Sequence, residues 1–238
     1  MKPLLAALFA ALLTQTGGKL EIKDIQEGKG PAAKPGDILT MDYTGTLASN
    51  GKQFDSSVGK KPFQFILGAG QVIKGWDEGM VGLKEGGKRQ LTIPSDMGYG
   101  KDGAGDEIPP NAKLKFDVTL LKLQRLDSKI LVEGKGDKTV KGGDIVDVHY
   151  QLTDTDGKKI DSSYDRGQTL QISMTSPLKV IKGFFAALLG MKQGEKKSVT
   201  LPPDLAYGDK GAGDVIKPGQ TLIFEIEMMK IFTPGAPR

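Results

Sequence analysis

The sequence predicts an α+β protein built as two tandem copies of one small domain, each a twisted antiparallel β-sheet closed over a short helix. Three observations carry that prediction. The chain repeats itself at a separation of about 107 residues, the mark of a duplicated domain and not of a short solenoid repeat. Apolar and polar residues alternate with period two over most of each copy, as in half-buried strands. One segment per copy replaces that alternation with an apolar stripe of helical spacing. The length of 238 residues is also comfortable for two domains of about 100 each.

The N-terminus stands outside the repeat. Lys2 supplies a positive start, and Leu4 to Leu13 is an unbroken run of Leu, Ala and Phe. That run is too short to span a ~30 Å hydrocarbon core as a helix. It matches the apolar region of a signal peptide, and Thr16, Gly17 and Gly18 are small enough for cleavage. Residues 1–18 are therefore expected to be removed, leaving an exported protein, periplasmic or secreted, with no stable membrane insertion after processing. The first copy is expected over 19–125, the second over 126–233, and a tail over 234–238.

Within the copies, Lys34, Gly36, Asp37, Ile38 and Tyr43 return as Lys141, Gly143, Asp144, Ile145 and Tyr150. Gly51, Lys52, Asp55, Ser56 and Ser57 return as Gly157, Lys158, Asp161, Ser162 and Ser163. The longest block, Tyr99-Gly100 through Gly103-Ala104-Gly105-Asp106 to Ile108, has its partner in Tyr207-Gly208 through Gly211-Ala212-Gly213-Asp214 to Ile216. Strands are predicted where Ile38, Thr40, Asp42 and Thr44 alternate with Leu39, Met41, Tyr43 and Gly45, around Phe63, Phe65 and Leu67, at Leu91 and Ile93, and from Leu114 to Leu120. Asn50-Gly51 and Asp156-Gly157 are hairpin-turn signals. The helical stripe is Ile73, Trp76, Met80 and Val81 in the first copy and Ile181, Phe184, Leu188 and Leu189 in the second. No Pro/Gly-rich spacer separates the copies, so they are expected to be close neighbours, each able to fold alone.

Composition removes several chemistries. With no cysteine there are no disulfides, thiolate metal sites or thiol nucleophiles, and a single histidine, His149, rules out a histidine metal cluster. The net charge of +4 arises from 33 basic and 29 acidic residues mixed along the chain, which argues against a nucleic-acid-tracking stripe. Gly98-Tyr99-Gly100-Lys101-Asp102-Gly103 has the letters of a dinucleotide loop, but Pro109-Pro110 follows where that motif needs a helix. No metal or cofactor is expected.

The aromatic residues of the first copy are more telling. Tyr43, Phe54, Phe63, Trp76, Tyr99 and Phe116 come from several strands, a loop and the helix, although aromatics are only 6% of the chain. Phe65 is read as plain core. Asp55 is the one acid among these residues, and an acid in that setting needs a hydrogen-bond partner, for which Tyr43 or Tyr99 qualifies.

Tyr43-Thr44-Gly45, Phe54-Asp55-Ser56-Ser57, Pro62-Phe63, Val72-Ile73-Lys74-Gly75-Trp76, Tyr99-Gly100, Ile108-Pro109-Pro110 and Phe116-Asp117-Val118 form an ordered series. Together they resemble the FKBP-type immunophilin peptidyl-prolyl cis-trans isomerases, in a tandem, exported form. The resemblance implies a proline-binding floor at Trp76 and walls from Tyr43, Phe54, Phe63 and Phe116. It places Val72 at the rim, Ile73 as a backbone N–H donor, Asp55 and Tyr99 as polar contacts, and Ile108 closing the loop side. Partners implied are proline-containing polypeptides and macrolide ligands of the rapamycin type. The first copy lacks the usual arginine near the acid. The second keeps Tyr150, Asp161, Ile181, Tyr207 and Phe224. It has Ile160 for Phe54, Leu170 for Phe63 and Phe184 for Trp76, so a thinner, weakly active or peptide-binding pocket is expected there.

Overall fold

A computed structural model describes residues 18–235. The expected signal peptide falls outside them apart from Gly18. In the first copy, strands β1 (Glu21–Gln26), β2 (Ile38–Leu47), β3 (Gln53–Ser56), β4 (Phe63–Ile66), β5 (Lys88–Ile93) and β6 (Leu114–Gln124) surround helix α1 (Lys74–Gly79). The sheet order is β1-β5-β6-β2-β3, with β4 also on β2. Strand β2 pairs along its whole length with β6 on one side. On its other side Ile38–Met41 pairs with β4, and Thr44–Thr46 with β3. One long strand thereby brings Tyr43, Asp55 and Phe63 to the same end of the sheet.

The second copy repeats the plan with β7 (Asp127–Val132), β8 (Lys135–Thr139), β9 (Ile145–Thr153), β10 (Lys159–Ser162), β11 (Leu170–Ser173), α2 (Lys182–Leu188), β12 (Lys192–Gln193), β13 (Lys196–Leu201) and β14 (Leu222–Phe232). Its sheet runs β10-β9-β14-β13-β7 with β11 on β9, and β8 and β12 form a separate pair. Only Arg125 and Leu126 separate β6 from β7. Arg125 is pinned there, donating to the Asp37 carboxylate through Nε at 2.8 Å and Nη2 at 2.6 Å.

Helix α1 sits directly on β5. A Cβ at Gly75 would lie 2.4 Å from Ile93 Cγ2, and one at Gly79 would lie 2.8 Å from Leu91 Cδ1, so glycine at both positions sets the depth of the helix. Trp76 and Met80 are buried as the stripe predicts. Val81 is not: the helix ends at Gly79 and leaves Val81 45% exposed.

Each copy has its own hydrophobic cluster, but that of the second copy reaches into the first. Ile38, Ile66 and Ala69 of the first copy belong to the hydrophobic cluster of the second. Helix α2 is buried from Gly183 to Leu188, while α1 buries only Gly75, Trp76 and Gly79. The repeat explains the difference. Asp77, Glu78 and Val81 of the first copy become Phe185, Ala186 and Leu189 in the second. That outer face abuts the first domain: a Cβ at Gly36 would be 3.1 Å from Ala186 O and 3.8 Å from Leu189 Cβ.

Leu189 and Val81 therefore hold equivalent repeat positions in opposite surroundings. Leu189→Ala should destabilise the chain by about 2–4 kcal/mol, and Val81→Ala by less than about 0.5 kcal/mol. Urea unfolding of the two variants measures this, and equal losses would contradict burial of Leu189 against the first copy.

Candidate active site

Side chains from β2, β3, β4, β6, α1 and the loop before α1 enclose a cavity of about 470 Å³ in the first copy. Trp76 lies at its base, 4% exposed. Three rings meet the indole edge-on: Tyr43 at 5.2 Å and 86°, Phe116 at 5.3 Å and 83°, and Phe63 at 6.0 Å and 81°. Edge-to-face packing suits the ring quadrupoles and adds about 0.5–1.5 kcal/mol per pair beyond the area buried. Phe54 completes the wall against Phe116 at 5.5 Å. Gly45 on β2 makes room for both, since a Cβ there would meet Phe54 Cζ at 2.6 Å and Phe116 Cε1 at 2.8 Å. Phe65 is buried behind the pocket, as core. The Trp76 Nε1–H is buried and has no partner among the described residues.

Asp55 sits at the mouth. Its Oδ2 accepts from the Tyr43 hydroxyl, and its Oδ1 from the Ser56 N–H at 2.8 Å. Of the two candidate partners, Tyr43 is the one that bonds. Burial, then the hydrogen bond to Asp55 and its charge, push the Tyr43 phenol well above its ordinary range, and burial with the Asp55 charge raises Tyr99. Both tyrosines therefore stay protonated donors at neutral pH. Tyr99 stands 41% exposed across the mouth. Val72 and Ile73 line the rim together with Gly70 and Gln71. Ile73 caps α1 by accepting from the Trp76 N–H at 2.9 Å, and no described residue accepts from its own N–H. Ile108 is the one predicted contact outside the lining. It is 6% exposed, packed in the domain core, and its backbone pairs with Ala104 to close the glycine-rich loop.

The second copy has a cavity of the same size, about 470 Å³, lined by Tyr150, Asp161, Ile181, Phe184, Tyr207 and Phe224 among others. Phe184 takes the base, with Phe224 at 5.0 Å and Tyr150 at 5.8 Å. Two residues that sequence reasoning missed shape it. Leu152 stands at the repeat position of Gly45 and lines the cavity. Its bulk replaces the Phe54 ring, while Ile160 only packs behind. The paired exchange of Gly45 and Phe54 for Leu152 and Ile160 was the available signal. The other is Arg166, which aligns with Lys60. It donates to Asp161 Oδ1 at 2.5 Å and to the Tyr150 hydroxyl at 2.8 Å, with its guanidinium 5.7 Å from the Tyr150 ring centre. Lys60 instead donates to the Ser56 carbonyl at 2.9 Å, and among the described residues Asp55 has no such cation.

The profile of one family, described as FKBP-type peptidyl-prolyl cis-trans isomerase, matches residues 30–121 and again 136–229. The chain belongs to that family. Among FKBP relatives, human peptidyl-prolyl cis-trans isomerase FKBP10 is 37% identical over 229 residues, which cover 92% of this chain and 39% of that protein. The chain thus spans about two fifths of the length of that relative. An FK506-binding protein of Neisseria meningitidis is 59% identical over 107 residues, 44% of this chain and 97% of its own length. Among solved FKBP structures, the three FKBP domains of wheat FKBP73 match 90% of this chain and 95% of their own at 26% identity, with a TM-score of 0.43. Among the described residues no helix is long and apolar enough to cross a membrane, and no acidic, histidine or cysteine cluster suits a metal ion.

The arginine makes the two carboxylates differ. Burial works to raise the Asp161 pKa, but the hydrogen bonds from Tyr150 and Arg166 outweigh it and the pKa falls. A depressed carboxylate stabilises the fold above its unfolded pKa, and loses that contribution as pH falls through the folded value. Arg166→Met should therefore raise the Asp161 pKa, read by NMR titration of the carboxyl carbon. The stability gap between variant and parent should close as the solution is acidified; a gap constant with pH would contradict the pairing.

Proposed function

We propose that the chain is a folding catalyst for exported proteins that accelerates rotation about X–Pro bonds, with the first pocket supplying most of the turnover. The observation that carries this reading is Trp76 at the base of an open cavity, ringed edge-on by Tyr43, Phe63 and Phe116. Membership of a prolyl isomerase family supports the activity. The apolar run at Leu4 to Leu13 supports export, and the internal repeat supports a mature chain of units 19–125 and 126–233 with a tail over 234–238.

The chemistry asks little of the protein. An X–Pro bond rotates slowly because its amide resonance must be broken, a barrier of about 18–20 kcal/mol. No bond to a heavy atom forms and no proton need move. Water favours the planar, polar imide, so a pocket walled by rings favours the twisted, less polar form. The proline ring stands on Trp76 between Tyr43, Phe54, Phe63 and Phe116. The Ile73 N–H donates to a substrate carbonyl. The hydroxyl of Tyr99 and the Asp55–Tyr43 pair hold the flanking chain, fixing the geometry in which rotation is easiest. Macrolides of the rapamycin type fill the same space; the name of the Neisseria relative, an FK506-binding protein, supports such ligands.

A second reading is a chain-holding module with incidental turnover. The second pocket favours it there: its volume is retained, but its base is Phe184 and its walls include Leu152 and Leu170. Holding one part of an unfolded client at this pocket raises the effective concentration of its prolines at the first.

In a coupled assay of proline-peptide isomerisation, Asp55→Asn and Tyr99→Phe should each reduce kcat/KM by roughly tenfold, since each removes polar contacts and not a chemical step. Trp76→Ala should lose binding and about 3–5 kcal/mol of stability. Because Trp76 is the only tryptophan, ligand binding should change its emission. A loss of many thousandfold from Asp55→Asn with the fold intact would point to acid–base chemistry and overturn this mechanism.

A further inference from the structure

The loop from Leu67 to Ile73 connects β4 to α1 and forms one rim of the first pocket, where Gly70, Gln71 and Val72 line the cavity. It is gripped from two sides. From its own domain, the Asp77 carboxylate accepts from the N–H of Gly68 at 2.8 Å and of Gly70 at 2.9 Å. From the second domain, the Gly142 N–H donates to the Gly68 carbonyl at 3.2 Å. The two backbones touch at this point. A Cβ at Gly142 would lie 2.5 Å from Ala69 C and 2.7 Å from Gly70 N. Ala69, only 1% exposed, belongs to the hydrophobic cluster of the second copy.

The sequence carries the same requirement. Gly142 stands at the repeat position of Pro35. A proline there has no N–H to give to Gly68, and its ring would occupy the space held by the Ala69 backbone. The second copy thus departs from the first at the residue that meets the pocket loop.

We propose that the second domain is a positioning element of the first pocket, acting through Gly142 on the loop Gly68–Val72. This rests on reading the first pocket as the isomerase site. The loop leads directly into Val72 and the Ile73 N–H, the groups that orient the substrate. Within its own domain the loop is held by Gln71 Oε1, which accepts from the Ile66 N–H at 2.8 Å, and by Asp77, whose pKa burial raises against its two backbone hydrogen bonds. The charged form is held against its preference for water. Gly142 restrains the opposite side of the loop without burying any charge.

The test uses the full chain carrying Gly142→Ala, assayed with a proline tetrapeptide. The rings that bind proline are untouched, so KM should stay within about twofold while kcat falls about tenfold, as expected for a small misplacement remote from the chemistry. Amide exchange at residues 68–72 should quicken. Ile130→Ala, an exposed change on β7 of the same domain, should alter neither. If Gly142→Ala does not fold, Leu189→Ala loosens the same interface from α2 and should shift kcat in the same direction. Unchanged kcat in a variant whose 68–72 amides exchange faster would overturn the proposal, as would an effect confined to KM. Absence of turnover in the unsubstituted chain would instead defeat the isomerase reading on which it rests.

Discussion

Helix α1 has six residues and no side-chain cap, too short to persist without tertiary support. Its position is imposed by contact with β5, and that contact is as close as it is because Gly75 and Gly79 present no side chains to Ile93 and Leu91. The depth of the helix fixes the height of Trp76. The height of Trp76 decides whether Tyr43, Phe63 and Phe116 meet its edges or slide past it. The cavity, its rim loop and the free N–H of Ile73 all follow from a helix pressed onto a sheet through two glycines.

The polar end of the pocket is built with the same economy. Strand β2 is long enough to be shared between β3 and β4, which sets Tyr43 beside Asp55 on one side and Phe63 on the other. A phenol kept protonated by burial and by a neighbouring carboxylate is a reliable donor across ordinary pH. The second copy reaches a similar end differently. Arg166 ties Asp161 and Tyr150 into one charge-assisted cluster, and the leucine at 152 restores the volume that a smaller residue at 160 gives up. Cores tolerate such exchanges when total volume is kept.

Much of this was legible in the chain. The repeat, the strand alternation and the aromatic series are local or periodic signals, and Trp76, Tyr43, Phe54, Phe63 and Phe116 converge as their motifs imply. What escaped the sequence depends on pairs of distant positions. Leu152 has meaning only beside Ile160, and Arg166 only once β10 is known to lie against β9. Val81 and Leu189 share one helical pattern, but solvent covers the first and a neighbouring domain covers the second. Ile108 satisfies its loop through backbone pairing, which leaves its side chain to the core. Periodicity predicts which face is apolar; it does not say what the face will meet.

The exchange of Asp77 and Glu78 for Phe185 and Ala186 also gives the duplication a direction. In the first copy Asp77 turns to its own pocket loop and Glu78 to solvent, so that face needs no neighbour. In the second copy Phe185, Ala186 and Leu189 make the corresponding face apolar and bury it with first-copy residues, and Gly142 lies against the Ala69 backbone. At this face the dependence runs one way, because Phe185, Ala186 and Leu189 are kept from water in a cluster that includes Ile38, Ile66 and Ala69 of the first copy.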